Sequence, residues 1–236
     1  NSIDELNYIK EKDKYIEVGA TTPLSKFESI IKKYYPDFNR ILKRYGSVQI
    51  RNVATLAGNI ATASPIGDSL PLLLSLDASI SIESFNKKMT IPLKDFFIGY
   101  RKTKLKKGQF ISSIKIPIFK KNIFKAYKIS KRIDDDISSV CASFNLAIVN
   151  KKIKDIKIAY GGMAATPKRA VYCEKMLLNS NFSEDIILKA QKSLERDFQP
   201  IDDMRASKDY RVEIAKNLLT KCFAEIKKNK LIRLNY

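Results

Sequence analysis

The chain has 236 residues, 44% of them hydrophobic, and carries 44 Lys and Arg against 25 Asp and Glu, giving a formal net charge of +19. It contains neither an apolar run of about 18 residues nor a signal-peptide pattern at its start, which predicts a cytoplasmic globular protein without a membrane partner. The complete lack of histidine excludes a Ser-His-Asp triad and histidine metal sites.

The cysteines and the basic residues narrow the function further. Cys141, Cys173 and Cys222 lie far apart, without the spacing of a zinc site or of a four-thiolate cluster, so we predict reduced thiols and no metal site. A charge of +19 is also compatible with a basic nucleic-acid-binding module, which stays an alternative. Because the basic residues are mostly Lys and are scattered along the chain, we predict a solvated basic surface and no nucleic-acid partner.

The first half of the chain alternates between helical and strand patterns. A strand is predicted at 15–20, followed by a helix entered at 22–25 and a second helical stretch at 38–45. A buried helix is predicted at 70–76. Alternating or β-branched runs separated by polar turns then predict strands at 78–82, 89–93 and 110–116.

The second half begins after a connector at 118–122. Its apolar runs predict strands at 124–130, 140–149 and 153–160, which suggest an antiparallel sheet. Its helical periodicity predicts helices at 167–178, 183–198 and 210–228. The chain is therefore predicted to form two α+β units, 1–118 and 119–236.

The segment 47–77 is poor in charge and rich in Gly, Ala, Ser, Thr and Asn. Small side chains let a ligand approach the backbone, whose N–H groups can bind phosphate together with Ser, Thr and Asn. Asp68 supplies an acceptor for sugar hydroxyls. A tight loop before a buried helix explains the composition equally well. The chain has no Walker motif, and Gly161 and Gly162 do not make a Rossmann fingerprint.

Residues 45–68 resemble the central FAD loop of the molybdenum hydroxylase flavoproteins, a branch of the vanillyl-alcohol-oxidase-like FAD fold. Four further stretches resemble the bacterial-type xanthine dehydrogenase flavoprotein: FFIGYRKT at 96–103, KISKRIDDDI at 128–137, YGGMAATPKRA at 160–170 and DFQPIDDMRAS at 197–207. The resemblance implies an α+β fold. Residues 1–118 would be the C-terminal portion of a molybdopterin-dehydrogenase-type FAD domain, and 119–236 a CO dehydrogenase flavoprotein C-terminal-like domain.

The resemblance also implies which residues bind FAD. Those around the phosphates are Thr55, Gly58, Asn59 and Thr62, with Asp68 as the acceptor for ribityl or ribose hydroxyls. Neighbouring contacts are Gly46, Ile50, Ala54, Ala61 and Ile66. Tyr45 corresponds to an aromatic residue beside the isoalloxazine, with a core aromatic at a helix end as the alternative role.

Further positions correspond to residues around the flavin ring. Phe110 and Ile111 match apolar residues that line it, but alternate burial along a strand predicts the same pattern. Lys128 and Asp135 match charges near the flavin that could tune its potential, or they lie in a solvated turn. Tyr45, Tyr100 and Asp135 are implied to lie near bound NAD.

The implied activity is an electron relay. Substrate, a purine such as hypoxanthine or xanthine, would be oxidised at a molybdopterin centre in a large partner subunit. Electrons would pass through 2Fe-2S clusters to non-covalently bound FAD and then to NAD, as part of an oxidoreductase complex. The clusters and the family's first glycine-rich FAD loop would lie outside this sequence, so we expect the chain alone to retain little FAD and to be inactive by itself.

Three alternatives remain at this point. The chain could be the flavoprotein subunit of a CO-dehydrogenase-like or aromatic-acyl-CoA-reductase-like enzyme with another substrate and acceptor. It could be a partial subunit that serves only as an assembly surface. The basic nucleic-acid-binding module is the alternative from another functional class.

Overall fold

Two antiparallel β-sheets organise residues 3–230, the part of the chain that the computed structural model describes. The first half of the chain contains, in order, β1 (Ile9–Glu11), β2 (Tyr15–Gly19), α1 (Leu24–Tyr34), α2 (Pro36–Lys43), α3 (Val48–Val53), α4 (Leu56–Thr62), α5 (Ser69–Ser75), β3 (Ser79–Ser84), β4 (Lys87–Pro92), β5 (Phe97–Gly99), β6 (Lys102–Thr103) and β7 (Phe110–Pro117). Short 3-10 helices lie at Asp4–Leu6 and Leu93–Asp95.

The first sheet has five strands in the order β1-β2-β7-β3-β4, and β5 and β6 form a separate hairpin. The sequence of α1 places Leu24, Phe27 and Ile31 at helical spacing, and all three are fully buried. The rings of Phe27 and Phe38 meet edge to face at 5.8 Å, which joins α1 to α2. The amphipathic helices therefore close the first core.

The second half contains β8 (Ile123–Ile129), β9 (Val140–Val149), β10 (Lys152–Gly161), β11 (Lys168–Arg169), α6 (Val171–Leu177), α7 (Glu184–Asp197) and α8 (Lys208–Lys228). Its sheet has the order β11-β10-β9-β8. Asn150 and Lys151 both have positive φ, which suits the two-residue turn between β9 and β10.

Helix α5 of the first half packs against β9 and β10 of the second sheet. The Ser143 hydroxyl donates to the Pro71 carbonyl at 2.7 Å, and the Asn145 amide donates to the Ser75 carbonyl at 3.1 Å. Because α6 also packs on β10 and α8 on β9, side chains pointing to either face of β9 are covered. Helix α5 thus lies between the first core and the second sheet, so all seven of its residues are buried. It brings the two halves into direct contact.

The predicted strands and the α+β class with antiparallel sheets agree with the structure. The prediction of a loop between 47 and 68 is wrong in detail, because α3 and α4 occupy most of it. The helix predicted from 167 begins at Val171, since Lys168 and Arg169 pair with β10 as β11. Between residues 3 and 230, no helix combines the length and apolar character needed to cross a membrane, and no acid or cysteine cluster suits a metal ion.

All three cysteines are buried free thiols, and burial raises the pKa of each above its ordinary value. Because the thiolate is the reactive form, we expect an aromatic disulfide reagent at pH 8 to modify none of them in the folded protein and all three after denaturation. Absorbance of the released thiol measures this. Rapid modification of any one in the folded state would contradict the burial.

Candidate functional site

A cavity of about 860 Å³ opens where the two halves of the chain meet. It lies between segment 45–68 of the first half and residues 128 and 135–137 of the second. The predicted site residues in its wall are Tyr45, Gly46, Ile50, Ala54, Thr55, Gly58, Asn59, Thr62, Ile66, Asp68, Lys128 and Asp135. The fold thus gathers most of the predicted site around one space, within the size range of ordinary ligand pockets.

Helix α4 carries the candidate phosphate contacts. The Thr55 hydroxyl caps the helix by accepting from the Gly58 N–H at 2.9 Å, and the Thr62 hydroxyl donates to the Gly58 carbonyl at 2.8 Å. Since Thr55 accepts in the cap, its own proton can be donated to a ligand oxygen. The structural and ligand-binding roles of this threonine are therefore compatible.

Tyr45 and Asn59 form a polar link across the cavity wall. The Asn59 amide donates to the Tyr45 hydroxyl at 3.1 Å, and the Ser69 hydroxyl donates to the Asn59 side-chain oxygen at 2.6 Å. Burial, and to a lesser extent the negative charge of Asp68, raises the pKa of Tyr45. Tyr45 therefore stays a neutral phenol at physiological pH, and its hydroxyl proton can be donated to a ligand.

A buried ion pair joins the two halves at the cavity. Lys128 Nζ lies 2.6 Å from one Asp68 oxygen and donates to the Arg44 carbonyl at 3.1 Å, while the Ser138 hydroxyl donates to the other Asp68 oxygen. The side chains of Lys128 and Asp68 are only 2% and 8% exposed. Each carboxylate oxygen retains a second lone pair, so Asp68 can still accept from a ligand hydroxyl.

Arg44 fixes the strand end that carries Lys128, a role that sequence reasoning missed. Its guanidinium donates to the Lys128 carbonyl at 3.1 Å, to the Ser130 hydroxyl at 3.1 Å and to the Ile133 carbonyl at 2.7 Å. These partners lie 84 to 89 residues away in sequence. No periodicity or motif signals such a contact.

Helix α3 supplies an apolar part of the wall. It has no buried residue, and Val48, Ile50 and Val53 are 59%, 49% and 63% exposed. Arg51 holds it in place through an ion pair with Glu28 at 2.8 Å and a bond to the Gly46 carbonyl at 2.6 Å. Cavity residues that the prediction did not include are Ser47, Val53, Ser64, Gly67, Asp136 and Ile137.

The acidic turn of the second half forms part of the cavity rim. Asp135 has a positive φ of 48°, and Asp136 accepts from the backbone N–H groups of Arg132 and Ile137, both at 2.8 Å. The bond from Arg132 is the main cause that lowers the pKa of Asp136, so this carboxylate is ionised at neutral pH. The rim therefore carries negative charge next to the neutralised Asp68–Lys128 pair.

Four predicted site residues do not line the cavity. Ala61 is exposed on α4, and Tyr100, at the β5–β6 turn, is 60% exposed. Phe110, the first residue of β7, is 46% exposed, whereas Ile111 is buried in the first core. Helix α4 packs against β7, so Phe110 and Ile111 lie on a strand next to the cavity wall without contributing to it.

The cavity combines the features that a dinucleotide flavin requires. Its polar part offers hydroxyl, amide and glycine backbone groups at Thr55, Gly58 and Asn59, and its apolar part consists of aliphatic and aromatic side chains. A phosphate chain suits the first set and a flat ring system the second. The residues that are present therefore fit FAD.

Comparison with known proteins matches both halves of the chain to families. Residues 1–119 match the model of the FAD binding domain in molybdopterin dehydrogenase, and residues 125–226 match the CO dehydrogenase flavoprotein C-terminal domain. The glyceraldehyde dehydrogenase medium chain of Sulfolobus acidocaldarius is 32% identical over 232 residues, which cover 96% of this chain and 81% of that protein. Xanthine dehydrogenase of Emericella nidulans is 34% identical over 82% of this chain, which spans only 15% of that longer protein.

Solved structures agree with these matches. A carbon monoxide dehydrogenase chain of Hydrogenophaga pseudoflava, from a form that lacks the Mo-pyranopterin moiety, superposes with a TM-score of 0.88 at 25% identity, covering 93% of this chain and 77% of its own. Quinoline 2-oxidoreductase of Pseudomonas putida 86 superposes with a TM-score of 0.86 at 21% identity, covering 98% and 81%. The second likeness concerns the fold alone.

Proposed function

Because this chain belongs to the family of FAD-binding domains of molybdopterin dehydrogenases, we propose that it is the FAD-binding, electron-transferring part of a molybdenum hydroxylase complex. The observation that carries the proposal is the cavity at the junction of the two halves, whose polar and apolar parts suit the two ends of FAD. The partners would be a molybdopterin-containing large subunit and a 2Fe-2S protein or domain, and the complex would be cytoplasmic.

We propose that two units, 1–118 and 119–236, contribute different residues to the FAD site. In the first, Thr55, Gly58, Asn59 and Thr62 would bind the phosphates, and Tyr45 would donate a hydrogen bond close to the ring. In the second, Lys128 would hold the Asp68 side chain in place so that it can accept from ligand hydroxyls. FAD, when bound, would supply the conversion between single-electron transfer and hydride chemistry, and no side chain of this chain need act as a nucleophile or general base.

We further propose that NAD is the electron acceptor and that a purine is the substrate of the complex. They are supported by the similarity to xanthine dehydrogenases, such as that of Emericella nidulans. Tyr45, Tyr100 and Asp135 would lie near NAD. A carbon-monoxide- or aldehyde-oxidising complex is the second candidate, favoured by the similarity to the glyceraldehyde dehydrogenase medium chain and to the carbon monoxide dehydrogenase structure.

An activity assay of the complete complex separates the two candidates. Hypoxanthine-dependent reduction of NAD would support the first. Oxidation of glyceraldehyde or carbon monoxide with an artificial acceptor, together with inactivity toward hypoxanthine, would contradict the first and support the second.

A matched pair of threonine variants tests the FAD site itself. Thr62→Val should weaken FAD binding about 10-fold or more, because the Thr62 hydroxyl, which donates to the Gly58 carbonyl in the chain without ligand, would turn to donate to a charged phosphate oxygen, and valine cannot make that bond. Thr62 and Thr220 both donate to a carbonyl four residues earlier, at 2.8 and 3.5 Å. Thr220→Val, on α8, therefore removes the same local bond away from the cavity, together with an acceptor for the Gln191 amide at 2.6 Å, and should leave FAD affinity unchanged in a fluorescence titration. Equal effects of the two variants would argue against the proposed site.

A further inference from the structure

Arg211 is a buried charge that lies outside the cavity. It sits in the first turn of α8 and is 2% exposed. Its Nη1 donates to the Ser139 carbonyl and, at 3.1 Å, to the Gly162 carbonyl. Its Nη2 donates to an Asp203 carboxylate oxygen at 2.6 Å. A buried guanidinium is costly unless it is paired, so the fold has built a specific place for it.

The bond from Arg211 to the Ser139 carbonyl, called here the first arm, connects Arg211 with the buried Asp68–Lys128 ion pair. Ser139 N–H donates to the Ile129 carbonyl at 2.8 Å, directly after Lys128 in the chain. The neighbouring Ser138 hydroxyl donates to Asp68. By holding the Ser139 carbonyl, Arg211 fixes the backbone that presents Ser138 to the Asp68 carboxylate.

The bond from Arg211 to the Gly162 carbonyl, the second arm, connects Arg211 with the 64–68 loop in the cavity wall. Gly162 N–H donates to the Pro65 carbonyl at 2.8 Å, between the wall residues Ser64 and Ile66. Gly162 has a φ of +82°, and a Cβ added there would lie 2.3 Å from the Ser139 oxygen and 3.0 Å from the Arg211 guanidinium. The glycine therefore leaves the space in which both arms meet.

Asp203 keeps the guanidinium in place. Burial alone would raise the pKa of Asp203, but bonds from the backbone N–H groups of Arg205 and Ala206 and the charge of Arg211 together lower it. The carboxylate is therefore ionised at neutral pH. A planar fork of donors can reach two carbonyls and a carboxylate together, which a single ammonium group does less well.

We propose that Arg211 is a positioning residue for the FAD cavity, which sets FAD affinity from outside by holding Ser139 and Gly162 against Asp68 and the 64–68 loop. This inference rests on the proposed function. A purely structural role would lower stability without a selective effect on the cavity. A substitution of a positioning residue should therefore change the hydrogen exchange of segments 64–68 and 136–141 in the folded protein, whereas a substitution of a purely structural residue should not.

The experiment compares Arg211→Met and Arg211→Lys with Arg169→Met. Arg169 also makes a partly buried ion network, with Glu174 at 2.7 Å and Asp77 at 3.0 Å, but it does not line the cavity. Hydrogen exchange by mass spectrometry and FAD fluorescence titration would be measured at a temperature where each protein is folded. Asp203→Asn replaces the Met variant if that variant does not fold.

We expect Arg211→Met to speed exchange at 64–69 and 136–141 and to weaken FAD binding at least 10-fold, with Arg211→Lys restoring part of both. Arg169→Met should lower the melting temperature yet leave both cavity readouts within about two-fold of the parent. Identical cavity readouts for the Arg211 and Arg169 variants would overturn the inference. Because the chain alone is expected to bind FAD weakly, failure of the parent protein to bind FAD even at about 1 mM would instead overturn the proposed function, while the exchange comparison still tests the positioning.

Discussion

Lys128→Met should lower the free energy of unfolding by roughly 3–5 kcal/mol, the cost of leaving one partner of a buried ion pair uncompensated. The substitution removes the ammonium group that lies 2.6 Å from Asp68 and also donates to the Arg44 carbonyl. Among residues 3–230, only the Ser138 hydroxyl would then still donate to the Asp68 carboxylate. Urea denaturation followed by circular dichroism measures the change.

Two further variants distinguish the stability cost of leaving a buried charge unpaired from the cost of losing a lysine charge in general. Lys189→Met breaks an ion pair with Asp185 whose side chains are 61% and 74% exposed, and it should change stability by less than about 1 kcal/mol. The double variant Asp68→Leu with Lys128→Met removes both charges and should recover most of the loss. A Lys128→Met effect no larger than that of Lys189→Met would show that the pair does not hold the two halves together.

Gly162→Ala should lower the free energy of unfolding by roughly 2–4 kcal/mol. The residue has a φ of +82°, which L-residues adopt at a cost, and the new Cβ would meet the Ser139 oxygen at 2.3 Å. That carbonyl also accepts from Arg211, so it has little freedom to move away. Thermal unfolding would record the loss as a lower melting temperature.

Gly108→Ala is the matched control for the backbone contribution. Gly108 has a similar φ of +78°, but no atom lies within 4 Å of an added Cβ. It should therefore lose only about 1–2 kcal/mol. The difference between the two variants isolates the steric cost at Gly162, and a difference of zero would mean that Ser139 can shift freely.

The regular elements were predictable where a buried face repeats. The strands at β9 and β10 and the helix at α5 appear in the sequence as apolar runs with clear boundaries, because tertiary burial and local pattern favour the same structure there. Helices α3 and α4 have six and seven residues, too few for a helical period to stand out among small side chains. Their caps at Ser47 and Thr55 were the available signal.

The candidate site was predictable mainly in its first half, since Lys128 and Asp135 are the predicted wall residues of the second half. Thr55, Gly58 and Asn59 lie close together in sequence and carry a recognisable composition. In contrast, the bonds of Arg44 to the second half span 84 to 89 residues, and the bond of Arg211 to Ser139 spans 72. The Arg44 contacts depend on how the two halves pack together, and the Arg211 contacts depend on how α8 packs on β9. A single sequence contains no direct record of that geometry.

Hydrogen exchange with and without FAD tests whether this cavity binds FAD, because it reports where the ligand binds even when it dissociates readily. At about 1 mM FAD, occupancy should slow exchange at 45–68 and at 128–138 and leave α7 and the C-terminal half of α8 unchanged. Thr62→Val should reduce that protection, and Thr220→Val should not. Protection confined to other segments, or no protection at either cavity segment, would contradict the assignment of this cavity to FAD.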